Sequence, residues 1–140
     1  MGNLTRGIRN NNPGNIDYSL ANKWLGQVGI EPGPKGRFAV FDKPENGIRA
    51  LGKLLQTYQR KYGLNTIEAI ISRWAPGSEN DTAAYVRAVE RNTRTAPGAQ
   101  VNLSDQVVLA GLIKAIIHHE NAGYEYPAAI FDEGVRRAAA

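Results

Sequence analysis

The sequence contains no cysteine and a single methionine. Without cysteine there is no disulfide framework, no thiolate nucleophile and no cysteine-ligated zinc, and the redox compartment is left open. Long apolar runs are missing too: no stretch approaches the roughly 18 residues that span a bilayer, so membrane insertion is not expected. The polar segment Met1 to Asn12 has no apolar signal-peptide core, which predicts an export route other than a leader. Neither a Gly-x-Ser-x-Gly elbow nor a Gly-x-x-x-x-Gly-Lys phosphate loop occurs. No dense basic block is present either. Lys and Arg number 17 against 13 Asp and Glu, a net charge of +4. That suits a polyanionic partner such as bacterial cell wall, whereas the scattered positions carry no nucleic-acid motif and predict no nucleic-acid binding. Nucleic-acid binding would show a steep loss of affinity with salt.

What is there describes an ordinary globular chain: 140 residues, 42% apolar and 21% charged, enough for one core and one domain over 1–140. The run Asn10-Asn11-Asn12-Pro13-Gly14-Asn15 breaks regular structure and predicts a loop. Gln27 to Ile30 and Arg37 to Phe41, joined through Pro32-Gly33-Pro34-Lys35-Gly36, predict a small β-hairpin. From Pro44 the period becomes helical, with Ile48, Leu51, Leu55, Tyr58 and Tyr62 on one face, Asp42 as a cap and Gly63 as the stop. Tyr58 and Tyr62 are expected in the core. A shorter helix is predicted over Thr66 to Trp74, ended by Pro76-Gly77. Ser78 to Thr82 predict the start of another, over Asp81 to Arg91. After a polar linker, Ser104 is the expected cap of a long buried helix carrying Val108, Leu109, Leu112, Ile113, Ile116 and Ile117, and a last helix spans Pro127 to Arg137. The sum is a mainly α domain of about five helices with one small hairpin.

Glu120 is the most informative side chain. It follows Ile116 by four residues and Ile117 by three, and so projects from the apolar face near the end of the long helix. Burial there and the negative end of the helix dipole both disfavour a charged carboxylate, which is what a general acid at neutral pH requires. Glu120 is equally read as a residue at a frayed helix end, solvated or paired with His119 or an arginine. His118-His119-Glu120 lacks the two-histidine spacing of a zinc helix, so no metal and no cofactor are expected. Trp24, Trp74, Tyr18 and Tyr85 stand next to loops or helix ends, where flat rings could carry sugars; each is equally accommodated as core. Glu31 and Asp17, in the hairpin and loop region, are candidates for a second carboxylate across a cleft.

The opening Arg6-Gly7-Ile8-Arg9-Asn10-Asn11-Asn12-Pro13-Gly14-Asn15-Ile16 resembles that of a family of bacteriophage virion-associated and prophage proteins. Further matches cover most of the chain: Trp24-Leu25-Gly26, Phe38 to Asp42 with Pro44 to Ala50, Arg73-Trp74-Ala75-Pro76 with Glu79 to Tyr85, and Ala115 to Asn121. The order of an Asn-Pro-Gly-Asn-Ile turn, a Trp-x-Gly hairpin, Phe-x-x-Phe leading into a helix, and Trp-Ala-Pro with a downstream Tyr is similar to the central part of lysozyme-like peptidoglycan hydrolases. The glucosaminidase and transglycosylase branches are the most similar. In those enzymes the helix bearing the catalytic Glu precedes the turn. The resemblance therefore implies a circular permutation, with Glu120 folded back beside the Asn-rich loop; close chain termini make that possible.

The resemblance implies a lysozyme-like, cofactor-free monomer that cleaves the glycan strand of peptidoglycan. Glu120 would protonate the glycosidic oxygen, Glu31 or Asp17 would supply the second carboxylate, and Asn12, Asn15, Tyr18, Trp24, Trp74 and Tyr85 would line the groove. The protein would be carried in the virion, or held in the host cytoplasm until release, and would act on the periplasmic wall. The other class left open is a non-catalytic virion component that binds cell wall or other virion proteins.

Overall fold

The computed structural model describes residues 4–77 and 81–140. Its element order is α1 (Arg6–Arg9), β1 (Gln27–Ile30), β2 (Ala39–Phe41), α2 (Pro44–Tyr62), α3 (Ile67–Trp74), α4 (Thr82–Thr93), α5 (Gln106–Glu120) and α6 (Ala128–Ala139). The described residues are therefore mainly helical with one small hairpin, as the hydrophobic periods require.

The short α1, which no periodic signal in the sequence marks, ends where the Asn-rich run 10–15 begins. Its single turn carries the buried Gly7 and Ile8, and it gives way where Asn11 takes a φ of 52°, a conformation that Asn tolerates better than most residues. β1 and β2 run antiparallel, with Gln27 opposite Phe41 and Ile30 opposite Ala39 and an irregularity between Gln27 and Gly29. The second strand is shorter than expected, because Phe38 forms an isolated bridge with Asp17 instead. That bridge ties the hairpin to the Asn-rich loop.

The long helix α2 begins on Pro44, where a missing N–H does no harm, and ends where Gly63 takes a φ of 67°. Asp42 is not its cap. Lys43 holds that position, and the Asp42 carboxylate accepts a bond from Asn46 Nδ2 at 2.9 Å instead. Thr66 caps α3 through Ala69 N, and Asp81 caps α4 through Ala84 N. The expected helix start at Ser78, Glu79 and Asn80 lies outside the described residues. α4 runs past Arg91 to Thr93 and is closed by Arg94 in the left-handed region. Asp105, not Ser104, caps α5, since the Ser104 hydroxyl is held by Asn102 Oδ1 at 2.6 Å.

The main core collects the apolar stripes of α2 to α6, with Ile48, Leu51, Leu55, Ile70, Ile71, Val89, Leu109, Ile113 and Ile116 fully buried. α5 is the buried helix that the sequence predicts. A second cluster, Ile16, Ala39, Phe41 and Ala50, forms under the hairpin, and Trp74 packs against both. Tyr58 is partly buried against the main core, but Tyr62 is 45% exposed and not a core residue. No helix among the described residues is long and apolar enough to cross a membrane.

Candidate functional site

A groove of about 590 Å³ opens between the Asn-rich loop, α2 and the end of α3, with Glu120 from α5 reaching into it. Buried amides brace the loop that forms one wall. Asn12 Nδ2 donates to the carbonyls of Ile16 (3.0 Å) and Ala39 (2.9 Å), and its Oδ1 accepts from Ile16 N (3.0 Å), which folds the loop onto β2. Asn121, just beyond α5, donates through Nδ2 to Pro13 O (2.8 Å) and accepts on Oδ1 from the Thr5 hydroxyl (2.7 Å). The chain's opening is thereby sewn to the end of its long helix. Gly7 makes the close approach possible, because a Cβ there would stand 2.6 Å from Asn121 Oδ1.

The seam brings Asn15 to Glu120. Asn15 has a φ of 50°, and its Nδ2 donates to Glu120 Oε1 at 3.2 Å. The other oxygen, Oε2, accepts from the Tyr85 hydroxyl at 2.8 Å, and that hydroxyl accepts from Trp74 Nε1 at 3.2 Å. The indole N–H occupies a Tyr85 lone pair and leaves the hydroxyl proton directed at the carboxylate, a chain in which each bond polarises the next. Burial, with the Glu120 charge and hydrogen bond adding to it, pushes the Tyr85 phenol far above its ordinary range, so it stays a donor. Tyr85 also stacks on the His119 ring, 3.7 Å between centroids. Both oxygens of Glu120 are thus oriented by donors from different parts of the chain, while the residue itself is only half-buried.

The other expected site residues divide. Asn15, Asp17 and Trp74 line the groove beside Glu120. Asp17 is exposed and paired with Arg37, Nε to Oδ1 at 2.5 Å. Glu31 does not line the groove. Its buried carboxylate accepts from Arg6 Nε (2.6 Å) and Nη2, from Asn10 Nδ2 (2.9 Å) and from the backbone N–H of Arg37 (3.1 Å) and Phe38 (3.0 Å). The Arg6 guanidinium first, then Asn10 and the two backbone donors, hold its carboxyl far below the usual range. Glu31 is a clamp between α1 and the hairpin, and a carboxylate so saturated has no lone pair left for water. Asn12 is likewise consumed by the loop, with no exposed surface. Tyr18 and Trp24 pack against the second apolar cluster rather than the groove, and Tyr85 is a buried partner of Glu120, not a platform.

Sequence reasoning missed Phe38, Leu54 and Tyr58 as groove residues. Tyr58 was assigned to the core from its helical spacing, which identifies the apolar face but not where the neighbouring helices stop covering it. Among the described residues no three His, Cys, Asp or Glu come together as a metal site.

Fold and groove define a small, mainly helical protein with a doubly hydrogen-bonded carboxylate in an open cleft. No family model matches the sequence. The chain is 41% identical over 123 residues to Protein P5 of Pseudoalteromonas phage PM2, a match covering 86% of this chain and 74% of that protein, and it belongs to that phage protein family.

Proposed function

We propose that this phage protein is a peptidoglycan-degrading glycosidase with a lysozyme-like, circularly permuted domain, in which Glu120 is the general acid. The observation that carries the reading is the Glu120 carboxylate in the groove, oriented by Tyr85 on one oxygen and Asn15 on the other, next to the indole of Trp74. In its acid form Glu120 gives its proton to the glycosidic oxygen as the bond to the anomeric carbon breaks. The ring of Trp74 offers an apolar face to a sugar. Asp17 is the carboxylate left to position water for a muramidase or glucosaminidase, and Glu31 drops out of the mechanism. In a lytic transglycosylase the substrate's own hydroxyl replaces water, and no second carboxylate is needed.

The test is to incubate the protein with isolated peptidoglycan and identify soluble fragments by mass spectrometry. Muropeptides with reducing ends support hydrolysis, and anhydro ends support transglycosylation. Binding to the wall with no fragments released would instead favour a non-catalytic virion component.

A further inference from the structure

Beside the groove, one turn of α2 beyond Tyr58, lies a ledge that the glycan-cleaving machinery does not use. Tyr58 lines the groove, and Tyr62 follows one turn later on α2, 45% exposed. The guanidinium of Arg73, the residue before Trp74 on α3, lies 3.8 Å over the Tyr62 ring and 5.3 Å from that of Tyr58. Lys61 Nζ approaches Tyr62 at 5.5 Å.

Arg73 has no acidic partner among the described residues, a lack it shares with Arg9, Arg49, Arg60, Arg87, Arg91 and Arg94, but of these it is the one whose guanidinium lies on tyrosine rings beside the groove. Arg6 is bonded to Glu31, Arg37 to Asp17, and Arg136 and Arg137 to Glu133. Among the described residues Arg73 has ring contacts only, which hold the guanidinium plane on a tyrosine and leave its N–H edge unused. A planar fork of donors, held flat beside a carboxylate-bearing groove, matches a carboxylate in the ligand. We propose that Arg73, seated on Tyr62 and Tyr58, is a specificity-determining subsite that binds a carboxylate carried by the glycan. This rests on the peptidoglycan reading of the groove. Two sources share that chemistry: the lactyl carboxylate of a muramyl residue that carries no peptide and, where the lactyl carboxyl is tied up as the amide to a peptide, the carboxylates of that peptide.

Binding is measured in the Glu120→Gln background, so that cleavage does not consume the wall. Three substrates, each immobilised on beads, are compared: intact peptidoglycan, glycan stripped of peptide by an amidase, and stripped glycan whose carboxyls have been converted to amides. With Arg73 present, a carboxylate-bearing substrate should bind about tenfold tighter than the amidated one, the size of one charge-assisted hydrogen-bonded contact. A preference for intact wall alone assigns the peptide carboxylates, a preference for stripped glycan alone assigns the lactyl carboxylate that the amidase frees, and a preference for both means that Arg73 accepts either. Arg73→Gln should bind all three at the amidated level, whereas Arg91→Gln, which removes the same charge from α4 away from the groove, should keep the preference. Equal binding of all three substrates with Arg73 present, a preference that survives Arg73→Gln, or no binding at all overturns the proposal. Fragment release by the protein with Glu120 intact is scored separately, so the two readings can fail independently.

Discussion

Glu31 and Glu120 show how differently two carboxylates of one chain can be used. Glu31 is buried and bonded by a guanidinium, a side-chain amide and two backbone N–H groups, so its proton affinity in the folded state lies well below that of a free glutamate. The unfolded chain, with Glu near pH 4.3, binds the proton more tightly. Stability from Glu31 is therefore fully present above that pH and is lost as acid carries the protein down toward the folded value. Glu133, drawn to about 2 by Arg136 and Arg137, acts in the same direction. Thermal melts should hold steady above about pH 5 and fall below it. Glu31→Gln should lose about 1–3 kcal/mol at neutral pH, as a poorer acceptor for buried donors, and should show a shallower acid decline. An unchanged acid slope in that variant would contradict this role.

Tyr85 is the second residue-scale case. Tyr85→Phe keeps the ring on His119 but removes both the donor to Glu120 and the acceptor for Trp74. Turnover should fall between about tenfold and a hundredfold, the usual result of a loosened catalytic geometry, while stability falls by about 1–3 kcal/mol as the Trp74 N–H loses its acceptor and the protein stays folded at the assay temperature. Peptidoglycan turnover measured beside a thermal melt separates this from simple unfolding. Neither role was visible in the residues alone: Glu31 and Asp17 were equivalent loop carboxylates on the page, because what distinguishes them is the Arg6 that folding brings to one and the groove that it leaves to the other.

At the scale of elements, the helix stripes were legible and the junctions were not. The spacing of Ile48, Leu51 and Leu55, and of Leu109, Leu112 and Ile116, fixes which faces are buried, since only one face of each helix can be apolar. The caps were misplaced by one residue at Asp42 and Ser104, where neighbouring Asn side chains compete for the same short polar group. The α2–α6 crossing depends on glycine in a way no periodicity reveals. A Cβ on Gly134 would lie 2.6 Å from both Cβ and Cγ2 of Ile48, and one on Gly52 would lie 2.6 Å from the Cβ of Ala138. Gly134→Ala, although it raises helix propensity, should therefore destabilise the protein by about 1–3 kcal/mol through overpacking. A denaturant melt showing equal or higher stability would mean that the two helices can separate without loss.

At the scale of the whole molecule, the site is made by joining distant parts of the chain. Thr5, Pro13 and Asn15 from the beginning meet Glu120 and Asn121, more than a hundred positions away, through three hydrogen bonds. Folding brings the Asn-rich loop against the helix that bears Glu120. The amide seam that joins them could not be read from spacing, because each Asn is individually an ordinary turn former. Belonging to the family of Protein P5 fixes the phage context, and the proposed chemistry rests on Glu120. The most direct measurement is muropeptide release from isolated peptidoglycan by the protein and by its Glu120→Gln variant, with circular dichroism to verify the fold of both. The account predicts fragments from the first and none from the second at equal helicity. Undiminished release by Glu120→Gln would contradict it.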